Sequence, residues 1–498
     1  MNVNPITRLD YPDPDVIRVE DTYYMVSTTM HFMPGCEILQ SFDLVHWEHA
    51  TYVYETLDHT DAQQLKSGHN IYGQGMWAAS LRYHEGRFYI CFVANDTRKT
   101  YLYTSEKIDG PWKKQLIEGF YHDGSLLFDE DGRNYIVYGN DEIWITELNE
   151  DLTAPKKDGL HRLLVSDHKN PELGYEGSHI QKINGYYYIF LVHSLRDRWM
   201  RTEACFYSDS LEGEFTGGDV LCDDRGYCGQ GVAQGGIVDT PDGKWYAMLF
   251  QDSGAVGRIP ILLPVTWKDH FPFFGQNGHV PEEIEVHSTR PGYIYQPLVG
   301  SDDFCNGLLP RWQFNHDPDP RYYHLDALQG TYTITTREVC TELTQAVNTL
   351  TQRMSYPSCA AEVTVDASAL KEGDVAGLCA LQGCYAAVGI TKHHGKYEVL
   401  MLDKKEDGIL DMTEGTVVES HQMDFRLEAD FCNMKDEARC YYRVNKGDWL
   451  PIGTVHKLYF KLDHFTGCRF GLFCYAAEET GGSACFRDFK YYDVDEIS

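Results

Sequence analysis

No stretch of this 498-residue chain approaches eighteen uninterrupted apolar residues, so no segment reads as a membrane-spanning helix. The start, MNVNPITRLDYPDP, lacks a basic segment followed by an apolar run, and no signal peptide is read there. Basic residues are scarce. Lys and Arg number 43 against 75 Asp and Glu, a net charge of −32, which repels nucleic acid and anionic membrane surfaces and leaves neutral substrates open. Fifteen cysteines, ten of them beyond residue 300, include no C-x-x-C pair, so free thiols in a reducing cytoplasm are expected. A secreted form that has lost its signal is the other reading. Helical periods are missing from the first 290 residues, which argues against an α/β fold.

What is present points to sheet. Aromatics make up 13% of the chain, with 34 Tyr and 23 Phe beside 44 Gly, a mixture suited to twisted strands and tight turns. The length exceeds what one core usually serves, so two domains are expected. Five segments repeat: DVIRVEDTYYMV from Asp15, SLRYHEGRFYIC from Ser80, SLLFDEDGRNYIV from Ser125, HIQKINGYYYIF from His179 and GIVDTPDGKWYAML from Gly236. Each is an apolar strand, a short turn usually holding Gly or Asp, and a second strand with paired aromatics, which is a hairpin. The starts are 65, 45, 54 and 57 residues apart, enough for four strands and some longer loops. A five-bladed β-propeller is predicted; hairpins of a sandwich would be closer and more evenly spaced.

Just ahead of each repeat stands one candidate: Asp13, Trp77, Asp123, Glu176 and Gln234. Innermost propeller strands run side by side round an axis, so equivalent positions at their entrances form a ring. Asp13 lies between Pro12 and Pro14, and the following proline predicts extended backbone that fixes the carboxylate's direction. Crowded carboxylates repel one another and lose hydration, so at least one should keep its proton. An acid beside a base is what glycoside hydrolysis needs. Taken singly, each acidic residue could be ordinary turn chemistry, and Trp77 could equally pack in a core. Three carboxylates at the same repeat phase are harder to explain as turns.

The ordered set YPDPDVIRVEDTYYMVSTT, FDLVHWE, GQGMWAASLRYHEGRFYICF, YHDGSLLFDEDGRNYIVYG, YEGSHIQKINGYYYIF and VGRIPILLPVTW resembles glycoside hydrolase family 43. The resemblance covers about the first 290 residues. It implies β-xylosidase, α-L-arabinofuranosidase or arabinanase chemistry with inversion at the anomeric carbon. It also implies that Asp13 is the general base, Glu176 the general acid, and Asp123 the carboxylate that tunes and orients the acid. Arg258 would contact sugar hydroxyls, and Trp77 and Phe32 would wall the terminal sugar subsite. Gly124 replaces a proline common in relatives. Gln234 replaces a histidine that in many members helps hold a calcium ion or water cluster. No cofactor is required on this reading, and a structural calcium facing the Gln234 amide stays open.

A seam rich in turn formers, HSTRPGYIYQPLVGSDDF, spans 287–304. Beyond it AAEVTVDAS, KYEVLML, KLYFKLDH and RFGLFCY alternate like strands of an antiparallel sandwich. These segments are similar to the jelly-roll, concanavalin-like β-sandwich that follows the propeller in family β-xylosidases and commonly closes one side of the pocket. The all-β chain is therefore divided into a catalytic propeller, 1–295, and an accessory sandwich, 302–498. The expected function is a cytoplasmic exo-β-xylosidase acting on small oligosaccharides. α-L-Arabinofuranosidase as the main activity and a non-catalytic sugar-binding propeller are the alternatives. A homo-oligomer is compatible with all three.

Overall fold

The computed structural model describes residues 2–413 and 415–493, and among them helix is confined to four three-residue 3₁₀ turns. Blade 1 comprises Asp15–Val19, Thr22–Ser27, Gly35–Ser41 and Glu48–Tyr54; blade 2 comprises Met76–His84, Arg87–Ala94, Lys99–Ser105 and Lys113–Ile117. Blade 3 runs through Ser125–Phe128, Asn134–Asn140, Glu142–Leu148 and His161–Ser166, blade 4 through Glu176–Ile183, Tyr186–Ser194, Arg201–Ser208 and Thr216–Leu221. Blade 5 is Val232–Asp239, Trp245–Asp252, Arg258–Lys268 and Phe271–Phe274. Every blade is a four-stranded antiparallel sheet, and the five predicted hairpins are its first two strands. Two of those hairpins turn on residue pairs with positive φ, Glu85-Gly86 and Asn184-Gly185, the backbone that matches strand twist in a two-residue loop.

Apolar faces of neighbouring blades bury against one another, giving one core cluster in each of the five gaps. The gap between blades 5 and 1 also takes Leu9 and Tyr11 of the leading segment. There Asn2–Val3 pairs with Glu283–Ile284 and the Asn4 side chain donates to the carbonyls of Leu262 and Pro281, which closes the ring.

Polar groups lace the axis. Arg82 of blade 2 donates to Asp15 of blade 1 at 2.8 Å, to the Leu126 carbonyl of blade 3 at 2.8 Å and to the Ile180 carbonyl of blade 4 at 3.2 Å. His179 adds a 3.1 Å contact to the other Asp15 oxygen. Burial alone would raise the Asp15 carboxyl, but the Arg82 and His179 partners hold it below the usual range. One guanidinium thus ties four blades together.

The sandwich contributes eight strands to one sheet and seven to another, packed over a core that also takes in Ala255, Val256 and Ile259 of the propeller. Its larger sheet includes Gln313–Asn315, which pairs with Phe32–Met33 of the propeller, so the two domains share a sheet. Nearby the Arg353 guanidinium meets Glu37 at 2.8 Å and lies 4.0 Å over the Tyr11 ring. Three histidines meet at this junction. His31 of the propeller lies 4.8 Å from His316 and 5.0 Å from His464 of the sandwich, ring centre to ring centre, and Tyr72 stacks 4.6 Å from His464. All three imidazoles are buried, and desolvation holds each well below its ordinary pKa.

Three of the four alternating segments are strands: Ser358–Asp366, Lys396–Lys404 and Arg469–Tyr475. KLYFKLDH is not. The strand Leu450–Lys457 ends at its first residue and the rest is a loop; its apolar alternation serves a cavity wall in place of a sheet face.

Candidate active site

Asp13, Asp123 and Gln234 share an unusual backbone, with φ of +52°, +48° and +64°. Asp and Asn are the non-glycine residues that tolerate this left-handed region best, and such outliers concentrate at functional sites. The extended backbone predicted at Asp13 is therefore replaced by a left-handed one. The Pro12 carbonyl is taken by the Ser27 hydroxyl at 2.7 Å and the Thr28 amide at 3.2 Å, which turns the chain at this point. Asp13 then accepts from the Thr28 hydroxyl at 2.6 Å through one carboxyl oxygen and from Arg258 Nη1 at 3.0 Å through the other.

A cavity of about 570 Å³ opens here, lined by Asp13, Trp77, Asp123, Glu176, Gln234 and Arg258 among others. Asp123 Oδ2 accepts the Gly177 amide at 3.0 Å, so the start of the strand that carries Glu176 is pinned to the neighbouring carboxylate. Glu176 Oε2 accepts from Asn140 Nδ2 at 2.8 Å. The Gln234 backbone N–H donates at 2.7 Å to Glu203, a fully buried residue whose carboxyl is pushed well above its ordinary range by burial. Arg258 Nε and Nη2 have no protein partner among the described residues.

Phe32 does not join this lining. It is fully buried, with the Arg469 guanidinium 3.4 Å over its ring, because its strand is the one that pairs with the sandwich. The aromatic wall comes instead from the sandwich loop. Phe465 lies 5.3 Å from Trp77 and 4.3 Å beneath the Arg258 guanidinium, and Phe460 stands 5.6 Å from Phe465. No local pattern signals this, since Phe465 is 452 residues from Asp13.

His122 is the other residue that repeat phase passes over, although it precedes Asp123 directly. Its Nε2 lies 3.6 Å from both Asp123 and Glu176. The Asp123 carboxylate, then Glu176, raise the imidazole to about 9 against the opposing effect of burial. Asp123 is itself pushed upward, by burial first and by the nearby Glu176 and Asp13 charges, with His122 opposing. His122 thus stands between Asp123 and Glu176, and Asp13 adds to the field that favours its protonated form. His122, Asp123 and Glu176 each present a ligand atom within 4.8 Å of the others. One imidazole and two carboxylates that already accept N–H groups are not the all-oxygen cage of calcium.

The model of the glycosyl hydrolases family 43 matches residues 3–272, and that of the beta xylosidase C-terminal concanavalin A-like domain matches 301–492. The protein belongs to glycoside hydrolase family 43 and carries that sandwich domain. The chain is 26% identical to a beta-xylosidase of Formosa agariphila, covering 99% of this chain and 89% of that one. Among solved structures, a bifunctional GH43-CE protein of Bacteroides eggerthii superposes with a TM-score of 0.92 at 42% identity over 99% of this chain. The chain spans 64% of that longer protein. A GH43 enzyme engineered to display both endo-xylanase and exo-arabinofuranosidase activity is 27% identical, with 99% of each chain covered and a TM-score of 0.86.

Proposed function

We propose that the protein is an inverting exo-β-xylosidase that releases terminal xylose from short β-1,4-xylo-oligosaccharides. The observation that carries the reading is a cavity with three carboxylates in separate hydrogen-bond settings, one flank of which is built by Phe460, Leu462 and Phe465 of the sandwich. A flank closed by a second domain suits a chain end better than a threaded polymer. Glu176 gives its proton to the glycosidic oxygen as the bond to the anomeric carbon breaks. Asp13 takes a proton from the water that attacks that carbon from the opposite face. Asp123 holds the start of the Glu176 strand through Gly177. Arg258 lines the cavity beside Asp13 and is the residue assigned to sugar hydroxyls, and Trp77 offers a flat apolar face. No step requires a metal.

α-L-Arabinofuranosidase activity is the second reading, favoured by the exo-arabinofuranosidase activity that the engineered relative displays. Both are tested by incubating the protein with nitrophenyl β-xyloside, nitrophenyl α-arabinofuranoside and xylobiose, and following fresh product by proton NMR. Xylose released first as the α-anomer supports the proposal. Retention of the β-anomer would overturn the base role of Asp13, and cleavage of the arabinofuranoside alone would favour the second reading.

A further inference from the structure

Asp10 is buried, does not line the cavity, and yet touches both domains. Its Oδ1 accepts the Arg258 amide of blade 5 at 2.7 Å, and its Oδ2 accepts the Gly467 amide of the sandwich at 2.8 Å. The Arg353 guanidinium holds its carbonyl at 2.9 Å. The packing around it admits no side chains. A Cβ on Gly257, whose φ is +105°, would stand 2.3 Å from Asp10 Oδ1 and 2.8 Å from Gly467 Cα. A Cβ on Gly467 would stand 2.2 Å from the Val256 carbonyl oxygen and 2.7 Å from Asp10 Cβ.

We infer that Asp10 is a positioning residue that clamps the sandwich loop onto the catalytic centre, one carboxylate oxygen for each domain. Two residues before Gly467 the loop carries Phe465, whose ring supports the guanidinium of the same Arg258 whose amide Asp10 holds. The contacts form a closed circuit: Asp10 to Gly467, along the chain to Phe465, across to Arg258 and back to Asp10. Arg258 Nη1 leaves that circuit toward Asp13 at 3.0 Å. A guanidinium fixed at both its backbone and its face presents Nη1 to Asp13 in one orientation, which is how supporting contacts keep a reacting group in place.

The inference rests on the glycosidase reading, and a double-mutant cycle tests it on whichever nitrophenyl glycoside the wild-type protein cleaves. Asp10→Asn keeps one acceptor and turns an amide donor toward the other N–H, and Gly467→Ala breaks the clamp from the sandwich side. Each is expected to lower kcat/KM on the order of tenfold or more. Combining either with Phe465→Leu should cost no more than the worse single change, because all act through one circuit. Losses that multiply, or wild-type kcat/KM in both clamp variants, would overturn the inference. If Asp10→Asn does not fold, Gly467→Ala carries the cycle alone. If the wild-type protein cleaves neither glycoside, the glycosidase reading fails by itself and hydrogen exchange reads the clamp. In Gly467→Ala the Arg258 amide should lose protection while the rest of blade 5 keeps it; retained protection at Arg258 refutes the clamp.

Discussion

Two carboxylates that handle different protons can be told apart by the group that leaves. A general acid matters most for a poor leaving group such as a sugar hydroxyl and least for a nitrophenolate, whereas the base is needed for both. Glu176→Ala should therefore depress xylobiose cleavage far more than nitrophenyl xyloside cleavage. Asp13→Ala should damage both alike, each lost role costing on the order of 10² to 10⁴ in rate. Equal proportional losses on the two substrates in both variants would remove these assignments; circular dichroism must first show that each folds. Asp123 can be examined through its neighbour. Its charge is the largest cause lifting His122 to about 9, and taking away a negative charge lowers the affinity of an imidazole for its proton. In Asp123→Asn the His122 ring should titrate at lower pH, toward the unperturbed value of about 6.5, as followed by NMR of the imidazole protons. A midpoint left near 9 would mean that Asp123 does not govern it.

Strands were legible because each hairpin repeats a pattern that only one pairing register satisfies. Asp13, Trp77, Asp123, Glu176 and Gln234 reach one cavity because their places ahead of the repeat are places at the mouth of the ring. Arg258 came through motif resemblance, and its chain position at the start of a third strand explains why repeat phase alone did not single it out. Phe32 was misplaced for a reason of another kind: a two-residue strand that leaves its blade to pair with Gln313–Asn315 depends on a contact across the domains. The same holds for 458–464, where Leu458 is buried and Leu462 is 70% exposed at the cavity; alternation cannot say whether a residue faces a sheet neighbour or a ligand. The inner strand of blade 4 offers a check on the packing. Ile180 is fully buried in the gap between blades 3 and 4, four residues from Glu176. Ile180→Ala should lower unfolding free energy by about 2 to 5 kcal/mol, measured in urea, whereas Ile294→Ala, at an 82% exposed site, should change it by less than about 0.5 kcal/mol. A loss below about 1 kcal/mol at Ile180 would contradict the tight gap.

At the scale of the whole molecule the two domains cannot be treated as a catalyst and an appendage, since they share a sheet and the sandwich supplies one flank of the cavity. Their junction also holds His31, His316 and His464 uncharged. Each of these imidazoles binds its proton less readily folded than unfolded, His464 falling to about 3. The unfolded chain therefore takes up more protons as pH drops below about 6.5, and stability contributed by the neutral rings is progressively lost from there downward, on the order of 1 to 2 kcal/mol per ring at pH 5. The denaturation midpoint in urea should fall between pH 7.5 and pH 5, and His31→Phe should flatten that dependence; an unchanged pH slope would exclude the junction as its source. Protonation of a catalytic carboxylate reverses within the mixing time of an assay, but parted domains must find each other again. Protein held at low pH and returned to neutrality should thus regain activity with a lag, so that acid leaves this enzyme with a memory that its active-site carboxylates alone could not keep.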